Sequence, residues 1–259
     1  MDASRGPWAG RGPWSSAAVA PAMKSVSIMW AEGVTEAEAR TVVSTVRDLL
    51  KAIYDICLKA GVLLGPTAIR PFGTWVIPSM PPGDPYSGTH WYIDTAYDRA
   101  LGQVVAPRFL ELVRNEPWQR ANPHFDVAVL DRDLADPARQ GVGETHFVLS
   151  SALPGTAAVI SVHRLREEVP DQRRRLRALK RLVVHNFGHV LEVPSERGHA
   201  VETTDGDRHC TNLCVMRRAD SVDSLLSAAD EEDAADVLLC RDCRDDVLRS
   251  VMRQRVSKN

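Results

Sequence analysis

Apolar positions recur along this chain in two periods, and the switches between them mark its elements. Between Ser25 and Trp30, the residues Val26, Ile28 and Trp30 alternate with Ser25, Ser27 and Met29. A period of two predicts a short strand. From Thr35 to Ala60 the residues Val42, Val43, Val46, Leu49, Leu50, Ile53, Ile56 and Leu58 return at helical spacing, and Gly61 ends the run. Pro71, Pro78, Pro81, Pro82 and Pro85 break the stretch from Ile69 to about Ile93 into strand and loop, with Met80 to Thr89 read as loop. The aromatic residues around it (Trp75, Tyr86, His90, Trp91, Tyr92) either line a pocket or cover the core. Ala96 to Asn115 reads as a helix that Pro107 bends or splits.

Phe125 to Asp131 is a strong strand pattern, and Phe147 to Ser150 and Ala157 to Val162 are two more. Arg173 to Leu191 is the clearest helix. Its apolar stripe is Leu176, Leu179, Leu182, Val183, Phe187 and Val190, and Pro194 forbids it to continue far. After a polar loop, Asp223 to Leu239 and Asp245 to Arg255 read as two closing helices. Strands alternating with helices, and helices gathered at the end, predict an α/β (α+β) layered domain. The first two dozen residues differ. Arg-Gly-Pro-Trp occurs twice there, at 5–8 and 11–14, so residues 1–23 read as a disordered tail, or as upstream sequence with Met23 as the start.

Composition narrows the function classes. The 32 basic side chains nearly balance the 34 acidic ones, for a net charge of -2. Partners such as nucleic acid or an anionic membrane favour a basic excess, so neither is expected. No run approaches the roughly 18 apolar residues that span a bilayer. The Arg173 to Arg181 cluster is most simply the solvated face of its helix. Asp230, Glu231, Glu232 and Asp233 are placed to balance it.

The candidate chemistry lies in the second half. Four of the five cysteines form two close pairs, Cys210/Cys214 and Cys240/Cys243, whereas Cys57 stands alone in a helical stretch as a small buried residue. Pairs this tight suit a tetrahedral thiolate site for zinc. The odd total without a secretory signal speaks against a disulfide framework and for a cytoplasmic protein. His185-Asn-Phe-Gly-His189 sets two imidazoles four residues apart on one helical face, where they can share an ion. His209 precedes Cys210 directly, Cys214-Val-Met216 follows, and Cys240-Arg-Asp-Cys243 closes the series.

This order resembles the archaemetzincins, a branch of the metzincin clan of zinc metallopeptidases. Their pattern is H-E-x-x-H-x-x-G-x-x-H-C, then a second Cys, x, Met, and later C-x-x-C. Val127 to Leu134 looks like the strand and turn before the family's active site, and Gly155 to Leu165 like its substrate-flanking edge strand. The likeness covers roughly residues 125 to 248. It implies a metzincin-like mixed sheet with a long active-site helix and C-terminal helices tied by a structural zinc. Residues 24–259 would be one catalytic domain, with an upper part (24–191) and a lower part (192–259). His185, His189 and His209 would hold a catalytic zinc, Met216 would sit in the Met-turn beneath it, and Cys210, Cys214, Cys240 and Cys243 would hold a second, structural zinc. His163, in the presumed edge strand, would face the substrate cleft.

The sequence departs from the pattern in two places. The residue after the first His should be Glu, the general base, and here it is Asn186. An amide cannot accept a proton at neutral pH, and general-base catalysis is worth about 10²- to 10⁴-fold. The spacing also changes: the family's Gly and third His fall at Glu192 and Ser195, and extra residues delay His209. His209, His199 and Glu192 therefore compete as third ligand, and Glu192, Glu196 and Glu202 as substitute base. Asp131 and Asp133 either assist chemistry or make turns after their strand.

Three functions follow as expectations. One is hydrolysis of a peptide or amide bond by metal-activated water with a non-standard base. Another is a repurposed scaffold using zinc as a Lewis acid on a small molecule, with Asn186 positioning it. The third is a non-catalytic pseudo-peptidase that binds a peptide. The partner in each is a peptide or small-molecule substrate.

Overall fold

The computed structural model describes residues 22–138, 147–195, 201–204 and 206–256. The expected tail lies outside them, except for its last two residues, and of these Met23 is buried in the core. The chain begins with β1 (Val26–Trp30), α1 (Glu36–Lys59), β2 (Ile69–Gly73), α2 (Thr89–Ala96), β3 (Tyr97–Asp98) and β4 (Gln103–Val105). Next come α3 (Ala106–Asn115), α4 (Pro117–Ala121), β5 (Phe125–Leu130), β6 (Leu134–Ala135), β7 (Phe147–Val148), β8 (Ser150–Leu153) and β9 (Ala157–Ser161). It closes with α5 (His163–Glu168), α6 (Gln172–Val190), β10 (Val201–Thr204), β11 (Asp207–Cys210), α7 (Val222–Ala234) and α8 (Arg241–Val256).

The central sheet has the order β2-β1-β5-β9-β8. Its first four strands run parallel, and β8 returns antiparallel along β9. Every residue of β5 and β9 is buried, as parallel strands covered on both faces require. Phe125 meets Phe187 of α6, with ring centroids 5.7 Å apart, while its neighbour Asp126 accepts a hydrogen bond from Gln119 of α4. Because successive strand residues point to opposite faces, α6 and α4 lie on opposite sides of the sheet. A second, smaller sheet has the order β3-β4-β6-β7.

Helix α1 starts where its sequence says it should. The Thr35 hydroxyl accepts from the Glu38 amide while the Glu38 carboxylate accepts from the Thr35 backbone, a capping box that satisfies two orphan donors. Arg166 of α5 then grips the same Glu38 carboxylate and fixes the helix end to the far half of the chain.

Several elements differ from expectation, each for a local reason. Thr89 begins α2 rather than ending a loop, with its backbone N–H and hydroxyl anchored to Trp75. The stretch Ala96–Asn115 is not one helix. It first makes the β3–β4 hairpin, whose turn uses Gly102 at φ +69°, and helix starts only at Ala106. Pro107 therefore sits in the first turn, where its missing N–H costs nothing. The strand expected at the sheet edge, β9, is interior, because β8 folds back over it. The edge belongs to β8. The polar loop after α6 contains the β10–β11 hairpin, turned at Gly206 with φ +84°. Helix α7 stops at Ala234, and α8 begins early enough to carry Cys243.

The basic run on α6 is only partly a solvated face. Arg174 and Arg177 meet Asp230 of α7. Arg181, only 5% exposed, forks onto Glu232 at 2.9 Å. This pair joins α6 to α7 in a dry contact, where an uncompensated charge is costly. Glu232→Ala is expected to lower the free energy of unfolding by about 3–5 kcal/mol. Urea unfolding measures it, and a loss below about 1 kcal/mol would show a solvated pair instead.

Candidate metal centres

His185 and His189 lie one turn apart on α6, so both rings leave the same side of the helix. Their Nε2 atoms are 3.1 Å apart. The Nδ1 of His185 lies 2.8 Å from the Val215 carbonyl. Only a protonated Nδ1 can donate there, which leaves the Nε2 of a neutral ring with its lone pair. Burial, followed by the charges of His189 and Arg181, holds His185 well below the usual histidine range, and hence neutral. Neutral imidazole is the form that binds metal.

His209 completes the group from β11. Its ring stacks on His185 at 5.4 Å with a 14° tilt and stands edge-on to His189 at 5.1 Å. One ligand atom from each of the three residues lies within 4.8 Å of the others. The hairpin thus reaches back to α6 and closes the gap that the changed spacing opens.

The four cysteines gather beside it. Cys210 and Cys240 are 3.7 Å apart at sulfur, and Cys214 and Cys243 are 3.6 Å apart. None is in a disulfide. A tetrahedral ion with bonds of about 2.3 Å to sulfur holds its ligands about 3.8 Å from one another, so the donor set fits zinc. Backbone N–H groups of Asn212, Met216 and Cys243 point at Cys210, Cys214 and Cys240. Such donors favour thiolates. Cys240 and Cys243 also stand at the N-terminus of α8, where the helix dipole does the same. Within the cluster, hydrogen bonding to Cys210 and Cys243 pushes Cys214 far down, while the bond to Cys214 pushes Cys210 up to about 12.

One turn connects the two groups. Cys214 gives its sulfur to the cysteine cluster, Val215 gives its carbonyl to His185, and Met216 lies fully buried against α6. A Cβ on Gly188 would sit 2.3 Å from the Met216 sulfur. Gly188 is therefore the space that Met216 occupies between the two helical histidines. The Met216 carbonyl accepts from the Cys210 N–H at 3.0 Å, which ties the turn to the strand carrying His209.

The remaining candidates fall elsewhere. Asn186 is 2% exposed, and its amide donates to the Ser150 hydroxyl at 2.8 Å and the Leu182 carbonyl at 2.7 Å. It joins α6 to the edge strand β8. Glu192 does not continue the helical face: it takes φ +61° just past the helix end and pairs with Arg253 at 2.9 Å. The structure does not bring it into the histidine group. Ser195, where the family spacing would place a third His, is bound to Asp246 of α8. His163 opens α5 and faces Glu167 at 3.2 Å, apart from the histidine group. His199 and Glu196 lie outside the described residues. Glu202 stands directly opposite His209 in the hairpin. Asp133 is held by Arg164 and Gln103 as part of the scaffold.

Sequence reasoning missed a third group, Glu116, His124 and Asp126, on the far face of the sheet. These residues are drawn from a helix junction, a loop and a strand, and no spacing announces them.

No protein-family model matches the chain. Archaemetzincin of Nanoarchaeum equitans (strain Kin4-M) is 28% identical over 127 residues, which are 49% of this chain and 56% of that relative. The match thus spans little more than half the relative's length. The crystal structure of archaemetzincin from Methanopyrus kandleri at 1.5 Å resolution superposes with a TM-score of 0.52 at 18% identity, covering 89% of this chain and 96% of that one. Sequence and fold together relate the chain to the archaemetzincins.

The fit of Met216 against Gly188 carries a prediction. Gly188→Ala must displace the buried Met216 side chain from the helix, an overpacking change worth about 1–3 kcal/mol. Metal bound at the histidines should weaken at least about tenfold, while the cysteine centre keeps its own. Metal content after dialysis against a mild chelator reads both. Retention at both centres would contradict the packing role.

Proposed function

We propose that this relative of the archaemetzincins is a zinc-dependent hydrolase of a peptide or amide bond. His185, His189 and His209 would hold the catalytic ion, and the four clustered cysteines a structural one. The observation that carries this reading is the convergence of three imidazoles from α6 and β11, one of them oriented by a backbone carbonyl. Three neutral nitrogens leave a coordination position open, whereas four thiolates close theirs. Zinc held there would supply Lewis acidity toward water and a substrate carbonyl.

The chain's own residues supply the rest. Among the described residues β8 ends the sheet, so its outer backbone groups would pair with an extended peptide. Asn186, tied to Ser150, holds that strand to the histidine helix and takes no part in moving a proton. The proton acceptor we assign is Glu202. It is exposed and lies across the hairpin from His209, and directly opposed residues project from the same face. Glu192 is already engaged by Arg253.

A second reading draws on Asn186. The resemblance implies a carboxylate where Asn186 stands, and a site with an amide there can bind a peptide, or polarise a small molecule, without cleaving peptides.

The test is a peptide mixture incubated with the zinc-loaded protein and followed by mass spectrometry. Cleavage should appear, stop with a zinc chelator, and fall about 10²- to 10⁴-fold in kcat in Glu202→Gln, with KM little changed. Cleavage undiminished in that variant would remove Glu202 from the chemistry. Binding of peptides without any cleavage would select the second reading.

A further inference from the structure

The sheet face turned away from α6 holds its own set of buried ionisable groups. Asp126 points there from β5, Glu116 stands at the α3–α4 junction, and His124 precedes the strand. They are 2%, 1% and 5% exposed. The Nε2 of His124 lies 3.3 Å from Glu116 Oε1 and 3.3 Å from Asp126 Oδ2. Its Nδ1 faces the Asn122 carbonyl at 2.8 Å, a contact that requires the proton on Nδ1. In the neutral ring, Nε2 then turns a lone pair toward two carboxylate oxygens. Three buried acceptors facing one another need a proton or a cation between them.

The distances suit a cation. A single charge-assisted hydrogen bond runs about 2.7–2.9 Å; both contacts here are longer, the range set either by one proton shared between two carboxylates or by a cation between the three groups. Two ligand atoms of one ion, each about 2.1 Å from it, sit about 3.0–3.4 Å apart. Glu116 Oε1 is buried and accepts no hydrogen bond, whereas Oε2 of the same carboxylate is held by the Tyr92 hydroxyl at 2.7 Å. Asp126 Oδ2 is oriented by Gln119 at 2.7 Å. Outer partners of this sort aim ligands at a metal. A cavity of about 400 Å³, walled by Phe72, Trp75 and Trp118, opens onto the three groups and gives an ion both an approach and room for a further ligand.

We propose that Glu116, His124 and Asp126 form a third metal site, for a divalent first-row cation, separate from the histidine and cysteine centres. One nitrogen and two carboxylates make an oxygen-rich set that suits Mn²⁺, whereas the thiolates select zinc. Without an ion, burial opposes a charge on His124, but the two carboxylates outweigh it and push the ring up to about 10. The cation replaces that proton.

The experiment titrates Mn²⁺ into the full chain as purified, with its zinc in place, and counts bound Mn²⁺ by electron paramagnetic resonance. The wild-type chain should take up one Mn²⁺. Glu116→Gln and Asp126→Asn should each lower its affinity at least about 100-fold while zinc content and the circular-dichroism spectrum stay those of wild type. If those variants do not fold, Tyr92→Phe removes only the hydrogen bond to Glu116 and should weaken Mn²⁺ about tenfold. No uptake by the wild type overturns the proposal, as does uptake unchanged in all three variants. Uptake that vanishes in His185→Ala but persists in Glu116→Gln overturns it too, by placing the ion at the histidines. None of these readouts depends on the chain being a hydrolase.

Discussion

The turn Cys214-Val215-Met216 is the constraint on which the site depends. Three consecutive residues reach a sulfur cluster, a histidine ring and the helix surface at Gly188. If the cysteines let go, the Val215 carbonyl loses its place, and His185 loses the contact that sets its tautomer. A structural metal here would therefore do more than hold two helices together. It would fix, through a few backbone bonds, which nitrogen of His185 faces outward. Cys210 shares that frame, because the residue before it is His209 and its N–H is held by the Met216 carbonyl.

The histidine helix is braced from the other side. Its first turns are crowded with arginines, an arrangement that opposes the helix dipole. The acidic run of α7 lies alongside and neutralises it, with Arg181 and Glu232 fully enclosed. An apolar pair of the same shape could be as stable. The ionic pair adds a fixed registration of α7 on α6, and Arg181 also donates to the Arg217 carbonyl one residue beyond Met216. The turn is thus held at both of its ends. Among the described residues, no helix is long and apolar enough to cross a membrane.

Much of this was legible in the sequence. The β1, α1, β5 and α6 patterns are read from periodicity because each buries one stripe or two faces, and the cysteine pairs announce their cluster by spacing. His209 was the harder candidate to place. Its distance from α6 broke the family spacing, and the return path is a hairpin of mostly polar residues whose only mark is Asp205-Gly206, a turn signal flanked by no apolar alternation. Glu192 misled for a related reason. Helical counting placed it below His189, but the helix ends at Val190 and the backbone turns left-handed at Glu192. The interior position of β9 was legible only from β8 folding back, a tertiary event. The Glu116, His124 and Asp126 group was invisible, since the fold alone assembles it. Asn186 stands out in the sequence because the resemblance implies Glu at that position. What the sequence did not reveal is its partner, Ser150, on another strand.

X-ray absorption at the zinc edge, on protein purified without added metal, tests the paired-centre account most directly. Nitrogen and sulfur neighbours are separable by distance, about 2.0 Å against about 2.3 Å. The account predicts both shells together, from an imidazole centre and a thiolate centre in one chain. A sulfur shell alone would mean that only the cysteines hold zinc, and that the three histidines are not a metal site.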